Sequence, residues 1–104
     1  MLKRNMDYKI FWTNEAINNL EEILDYLIKY WSQKEVDNFK KSLSKQIHLI
    51  QRFPKVFPVS DYNPKLRKAV LSKQTTLFYE VNDHIIYLVF LFVNYQDVEK
   101  IKKF

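Results

Sequence analysis

Nine lysine and arginine side chains fall within residues 40–73, against a single carboxylate, Asp61. They are Lys40, Lys41, Lys45, Arg52, Lys55, Lys65, Arg67, Lys68 and Lys73. Ammonium and guanidinium groups at that density gather an anionic partner, speed its encounter and hold it by charge-assisted hydrogen bonds. The flanks do not share the bias. Residues 1–39 carry five cations against seven carboxylates, and residues 74–104 carry three against four. The net charge of +5 therefore belongs to the middle third. A solvated helix face that only keeps the chain soluble is the plain alternative. Here the charge runs over helix, loop and strand, and that spread favours a binding surface.

Several other chemistries are closed to the chain. Cysteine is absent, which removes disulfides, thiolate metal sites and a cysteine nucleophile. His48 and His84 are the only imidazoles, a poor basis for a zinc site, and neither metal nor cofactor is expected. His84 directly follows Asn82-Asp83 and reads as a surface turn residue; His48 lies between Ile47 and Leu49, off the apolar face of its helix. Glu80 has no second carboxylate at a spacing suited to paired acid–base work. Glycine is also absent, although average usage is about 7%. Glycine-rich phosphate loops need backbone approach without a Cβ, so most nucleotide-driven enzymes are excluded.

Hydrophobic residues make up 47% and charged residues 28% of the 104-residue chain, as expected for one globular domain over 1–104. The longest apolar run, Ile85 to Val93, is far short of the roughly 20 residues that cross a bilayer. The opening MLKRNMDYKIFW lacks the apolar core of a leader, so the cytoplasm is the expected compartment and no membrane partner is expected.

The elements that must position the charge can be read in order. Tyr8 to Trp12 reads as a strand. Thr13 or Asn14 can cap a helix whose apolar face is Ala16, Leu20, Ile23, Leu24 and Leu27, ending at about Tyr30. Ser32 to Glu35 has the capping-box spacing and opens a second helix on Val36, Phe39, Leu43, Ile47 and Ile50. It ends near Arg52, because Phe53 precedes Pro54. The short break between the two predicts an antiparallel helical hairpin. Tyr26, Tyr30 and Trp31 cluster at its tip, where they either pack the hairpin or face a protein partner.

Residues Phe53 to Pro64 hold all three prolines together with Phe53, Phe57 and Tyr62, so this connection should pack down. Strands follow at Leu66–Ser72, Thr75–Val81 and His84–Val93, the last two joined by a turn at Asn82-Asp83. The third run is apolar at both parities and should be central, covered on both faces or covered on one and dimerised on the other. Left unpaired, HIIYLVFLFV would be an aggregation hazard, which also argues for a partner. Asp97 to Phe104 fits a short terminal helix. The fold class is α+β: an N-terminal strand, an antiparallel helical hairpin, then three antiparallel strands, with the first strand pairing at an edge or beside a later strand.

In this order the residues resemble the RelE/ParE toxin superfamily over nearly the whole chain. The resemblance is carried by IFWTNEAINNLEEILDYL, by IHLIQRFPKVFP, and by LRKAVLSKQTTLFYEVNDHIIYLVFLF followed by NYQDVEKI. The nearest branch is that of plasmid-stabilisation or addiction-module toxins. The resemblance implies a small toxin neutralised by a cognate antitoxin, a largely disordered and acidic protein that covers its active face. A homodimer, or a heterotetramer with the antitoxin, is a further expectation. RelE-like members cut mRNA on the ribosome and ParE-like members poison DNA gyrase, so the shared fold does not choose between them.

Metal-free RNA cleavage requires an activated 2′-hydroxyl, stabilised phosphate charge and a proton for the leaving oxygen. The resemblance maps these roles onto Arg67 and Tyr95 as catalytic candidates. Lys55, Lys65, Arg67, Lys68 and Lys73 are the candidates for nucleic-acid or antitoxin binding. Thr75 or Thr76 stands where a second basic residue is expected, and Tyr95 replaces an arginine common after the last strand. That depleted set tilts the reading toward a ParE-like or degenerate toxin. One alternative is a RelE-like metal-independent, ribosome-dependent endoribonuclease; the other is a non-toxic RNA- or protein-binding module on the same fold. Arg67 as a solvated edge charge and Tyr95 as a core cap are the structural readings of the same residues.

Overall fold

The structure is a computed structural model and describes residues 8–94. Strand β1 spans Lys9–Trp12, helix α1 Asn14–Tyr30 and helix α2 Gln33–Arg52; strands β2, β3 and β4 span Arg67–Val70, Thr75–Asn82 and Ile85–Val93. The expected tail helix from Asp97 to Phe104 lies outside the described residues. Thr13 caps α1, its hydroxyl accepting from the Ala16 amide at 3.0 Å. Ser32 caps α2, its hydroxyl accepting from the Glu35 amide at 3.3 Å. Each cap satisfies a donor that the first helical turn leaves without an intrahelical partner.

All four strands share one sheet in the order β1-β4-β3-β2. β2, β3 and β4 are antiparallel neighbours, whereas β1 runs parallel to β4 with Lys9 opposite Ile85 and Trp12 opposite Leu88. The first strand therefore joins the edge beside the last, closing the long crossover through the helical hairpin. The β3–β4 turn sits one residue later than the sequence suggests. Asn82 still pairs with Ile85, and Asp83 takes the left-handed conformation at φ 58°. Asp tolerates that region because its short polar side chain can bond locally, so Asn82 stays in the ladder and Asp83-His84 forms the loop.

Both helices press on one face of the sheet. Ile23, Phe39, Leu43 and Ile50 meet Ala69, Leu77, Tyr79, Ile86, Leu88 and Leu91 in a single core. Burying an aliphatic side chain of this size contributes about 1.5–3 kcal/mol, which makes this face the main source of stability. The pairing steps from Phe78 opposite Phe90 to Tyr79 opposite Leu88, leaving Val89 as the extra residue of a bulge. Thr13 uses that irregularity: its hydroxyl donates to the Val89 carbonyl at 2.6 Å, with the Leu88 carbonyl at 3.1 Å. Asn19 accepts from the Leu91 amide at 3.0 Å. Helix α1 is thus pinned to β4 by polar contacts as well as by packing.

The opposite face carries no helix among the described residues. It is aromatic: Phe78 stacks on Phe90 at 4.6 Å, Phe11 meets Tyr87 edge-on at 5.5 Å, and Phe92 and Val70 are exposed. Among the described residues β4 is thus covered by helices on one side, while aromatic packing on the other side buries Phe78 and leaves Phe92 exposed.

The two sheet edges differ. Beyond β2 the chain folds back on itself: Val59 bridges Arg67, Ser60 donates to the Leu66 carbonyl at 2.7 Å and Lys68 to the Pro58 carbonyl at 3.0 Å. Gln46 of α2 donates to the Val70 carbonyl at 3.1 Å. On the other edge, Lys9 and Thr13 donate their amides to the carbonyls of His84 and Leu88, so the backbone groups of Ile10 and Trp12 point away from the sheet.

Candidate functional site

The connection between α2 and β2 is a built strap, although of its aromatics only Phe57 packs on the core while Phe53 and Tyr62 are exposed. Val56 donates to the Phe53 carbonyl at 3.0 Å and Leu66 to the Asn63 carbonyl at 2.9 Å. These bonds close turns around Pro54 and Pro64, each proline standing second in its turn, where its locked φ is favoured. Between them the Ser60 hydroxyl accepts from Tyr62, and the Asn63 side chain accepts from Lys65 at 2.9 Å. Prolines that ended the helix in the sequence also shape the loop after it.

Two side chains of the sheet hold this strap down. Arg67, half-buried at the start of β2, donates through one guanidinium nitrogen to the Phe57 carbonyl at 2.7 Å and reaches the Lys55 carbonyl at 3.4 Å. Its cross-strand partner is Tyr79, fully buried, whose hydroxyl donates to the Pro54 carbonyl at 2.7 Å. Burial raises the Tyr79 phenol above its ordinary pKa by disfavouring the phenolate; the Phe57 backbone and the Arg67 charge pull it back in part. Arg67, Tyr79 and the carbonyls of residues 54–57 are therefore one interlocked cluster.

The candidate residues separate around it. Lys55 and Lys65 are exposed on the strap, and Lys73 is exposed in the β2–β3 loop. Lys68 is half-buried, pairs with Phe78 and so belongs to the aromatic face, while Arg67 belongs to the helix-side face. Adjacent strand residues point oppositely, so Arg67 and Lys68 cannot converge on one phosphate. Tyr95 lies outside the described residues, and no distance ties it to Arg67. Thr75, at a position where a basic residue was sought, is buried. His48 and His84 are exposed, and among the described residues no group of three potential metal ligands comes together.

Tyr79 was not among the sequence candidates. A tyrosine in a strand reads first as core, and its tie to Pro54 spans 25 residues. The usable signal was cross-strand register: the short β2–β3 hairpin sets Tyr79 opposite Arg67. At the far end of the helical hairpin, Ile23, Leu27, Trp31, Phe39, Leu71 and Val93 line a cavity of about 300 Å³. There Tyr26 and Tyr30, one turn apart on α1, lie 4.9 Å ring to ring, and both Tyr30 and Trp31 are exposed at the hairpin tip.

Comparison with known proteins converges on this arrangement. No curated protein matches the chain by sequence. Among solved structures, the chromosomal ParDE toxin–antitoxin system from P. aeruginosa contains a chain that superposes with a TM-score of 0.71 at 14% identity, covering 85% of this chain and 97% of that one. YafQ from E. coli superposes at 0.57 and 13% identity, covering 85% and 94%. YafQ in the E. coli DinJ-YafQ toxin–antitoxin complex superposes at 0.54 and 14%, covering 86% and 96%. Identities this low establish the fold. The family follows from a family model, described as the ParE toxin of the type II toxin–antitoxin system parDE, which matches residues 10–99. With that match spanning both helices and all four strands, the chain belongs to the ParE toxin family of type II toxin–antitoxin systems.

Proposed function

We propose that this chain is a growth-inhibiting toxin, neutralised by a cognate antitoxin, that acts by engaging a protein target in the ParE manner and not by cutting mRNA on the ribosome. The observation that carries the reading is the state of Arg67. The one arginine matching the nuclease pattern spends hydrogen bonds on the carbonyls of Phe57 and Lys55. A guanidinium committed to backbone carbonyls is a strap tether, and its remaining reach toward a phosphate is limited by that geometry. DNA gyrase is the target this family membership favours, and the cytoplasm the site of action.

The test is to induce the chain alone in bacteria and follow growth, transcript integrity and DNA supercoiling together. Arrest with intact transcripts and altered supercoiling, relieved by co-expressing the antitoxin, is the expected result. Transcript cleavage would sink the reading in favour of a nuclease.

A second reading has its own observation. The aromatic sheet face presents Phe11 and Phe92 in the open with Lys68 on the same side, a combination suited to stacking single-stranded bases beside a phosphate contact. On that reading the chain binds RNA without cleaving it. It predicts soluble protein, no arrest and salt-sensitive affinity for single-stranded RNA.

A further inference from the structure

The strap buries some of its side chains and leaves others exposed. Pro54 and Phe57 turn inward, Phe57 packing against the core. Phe53, Val56, Val59 and Tyr62 remain exposed, Tyr62 to 89%. They recur at every third residue over a stretch held by two proline turns, a bridge to β2 and the tethers from Arg67 and Tyr79. Loose loops expose apolar side chains incidentally. A segment tied down this thoroughly, with an apolar array facing water, presents that array at little ordering cost to a partner.

We propose that the exposed apolar side chains of the strap form a docking surface for a protein segment that carries carboxylates between apolar side chains. On the function proposed above, the antitoxin supplies this segment, and the inference rests on that reading. The charge around the array decides the partner's chemistry: Arg52, Lys55 and Lys65 flank or interrupt it, against Asp61 alone. The Arg52 guanidinium already stands over the Phe53 ring, 5.6 Å from its centre, which places a cation beside an apolar anchor.

The alternatives fit less well. Val56 and Val59 offer nucleic-acid bases no ring to stack on, and one face of Phe53 is taken by Arg52. A second copy meeting the same patch about a two-fold axis would set these cations against themselves. An acidic amphipathic segment satisfies both the apolar anchors and the cationic rim.

The experiment measures binding of the full chain to its cognate antitoxin, purified from the complex and refolded, by calorimetry at two salt concentrations. The double variant Val59→Ser with Tyr62→Ser should raise Kd by about 30-fold, the scale of losing interface hot spots. Lys55→Glu with Lys65→Glu should weaken binding most at low salt and flatten its salt dependence. Glu22→Gln, on the exposed side of α1, should leave Kd within about twofold, the ordinary effect of a side chain outside an interface. All three should keep the thermal midpoint, since the side chains face solvent, and the charge pair guards against an unfolded double variant. Strap variants that bind like the unaltered chain, or that lose affinity for a single-stranded RNA oligonucleotide but not for antitoxin, would overturn the proposal. Failure of the unaltered chain to bind antitoxin would overturn the functional reading itself, and the docking surface with it.

Discussion

Arg67 and Phe57 are joined by a 2.7 Å hydrogen bond from guanidinium to backbone carbonyl, across the edge where the strap returns to the sheet. The bond turns a residue whose type suggests phosphate chemistry into part of the scaffold. It also ties the most basic stretch of the chain to the most buried tyrosine, because Tyr79 lies opposite Arg67 in the ladder.

Arg67→Ala should therefore behave as a structural lesion. Hydrogen bonds from a charged donor contribute about 1.5–3 kcal/mol, and at about 4–8 °C per kcal/mol a loss of that size lowers the midpoint of a small domain by about 6–24 °C. Hydrogen exchange should speed up first at the amides of Ser60 and Lys68, which pair strap to β2. Growth arrest should fall in step with folded protein. A drop in activity by orders of magnitude at unchanged stability would instead mark Arg67 as catalytic.

Tyr79→Phe removes the donor to the Pro54 carbonyl and should cost about 0.5–1.5 kcal/mol by urea unfolding at neutral pH. The phenol also sets an alkaline limit. Its folded pKa lies above the unfolded value, so at high pH the unfolded chain releases the proton while the folded one keeps it. The associated stability is whole below about pH 10 and falls as pH rises toward and through the folded value. Comparing unfolding from pH 8 to pH 11.5 should show a shallower alkaline decline in Tyr79→Phe than in the unaltered chain.

Thr13 and Ser32 are both helix caps, but only Thr13 also reaches a strand, through the Val89 carbonyl. Thr13→Ala should cost about 1–2 kcal/mol and Ser32→Ala nearer 0.5–1 kcal/mol, the upper and lower parts of the range for caps. Equal losses in parallel denaturant titrations would show that the bulge contact adds nothing.

The two faces of β4 should answer differently to truncation. Ile86→Ala empties a fully buried position and should cost about 2–5 kcal/mol. Phe92→Ser, on the open face, should shift stability by no more than about 0.5 kcal/mol. A large loss at Phe92, measured by chemical unfolding of the isolated chain, would mean that something covers that face.

Much of this architecture is legible in the residues, because the signals are local. Caps at Thr13 and Ser32, the stop at Arg52 before Phe53-Pro54 and the apolar periods of both helices all act within a few positions, and the helices begin and end there. The β3–β4 loop was displaced by one residue because Asn82 and Asp83 are nearly equivalent turn formers, and only the pairing of Asn82 with Ile85 separates them. The parallel pairing of β1 with β4 spans the whole hairpin, so sequence narrowed it to an edge or a later neighbour without naming the orientation. The site was less legible. Charge at Lys55, Lys65 and Lys68 is visible in one dimension, but the opposite facing of Arg67 and Lys68, and the carbonyls that receive Arg67, exist only once strap and sheet are assembled.

The unequal sheet edges limit how this protein can multiply its own architecture. On the β2 side the strap already pairs with the edge, Lys68 donating to the Pro58 carbonyl and Ser60 to the Leu66 carbonyl. The β1 side leaves the backbone groups of Ile10 and Trp12 turned outward. Among the described residues the backbone of β2 is therefore occupied around Leu66 to Lys68, while β1 can take a further strand. Copies joined β1 to β1 about a two-fold axis close on themselves, and the strap laid against β2 hinders growth from the outer edges.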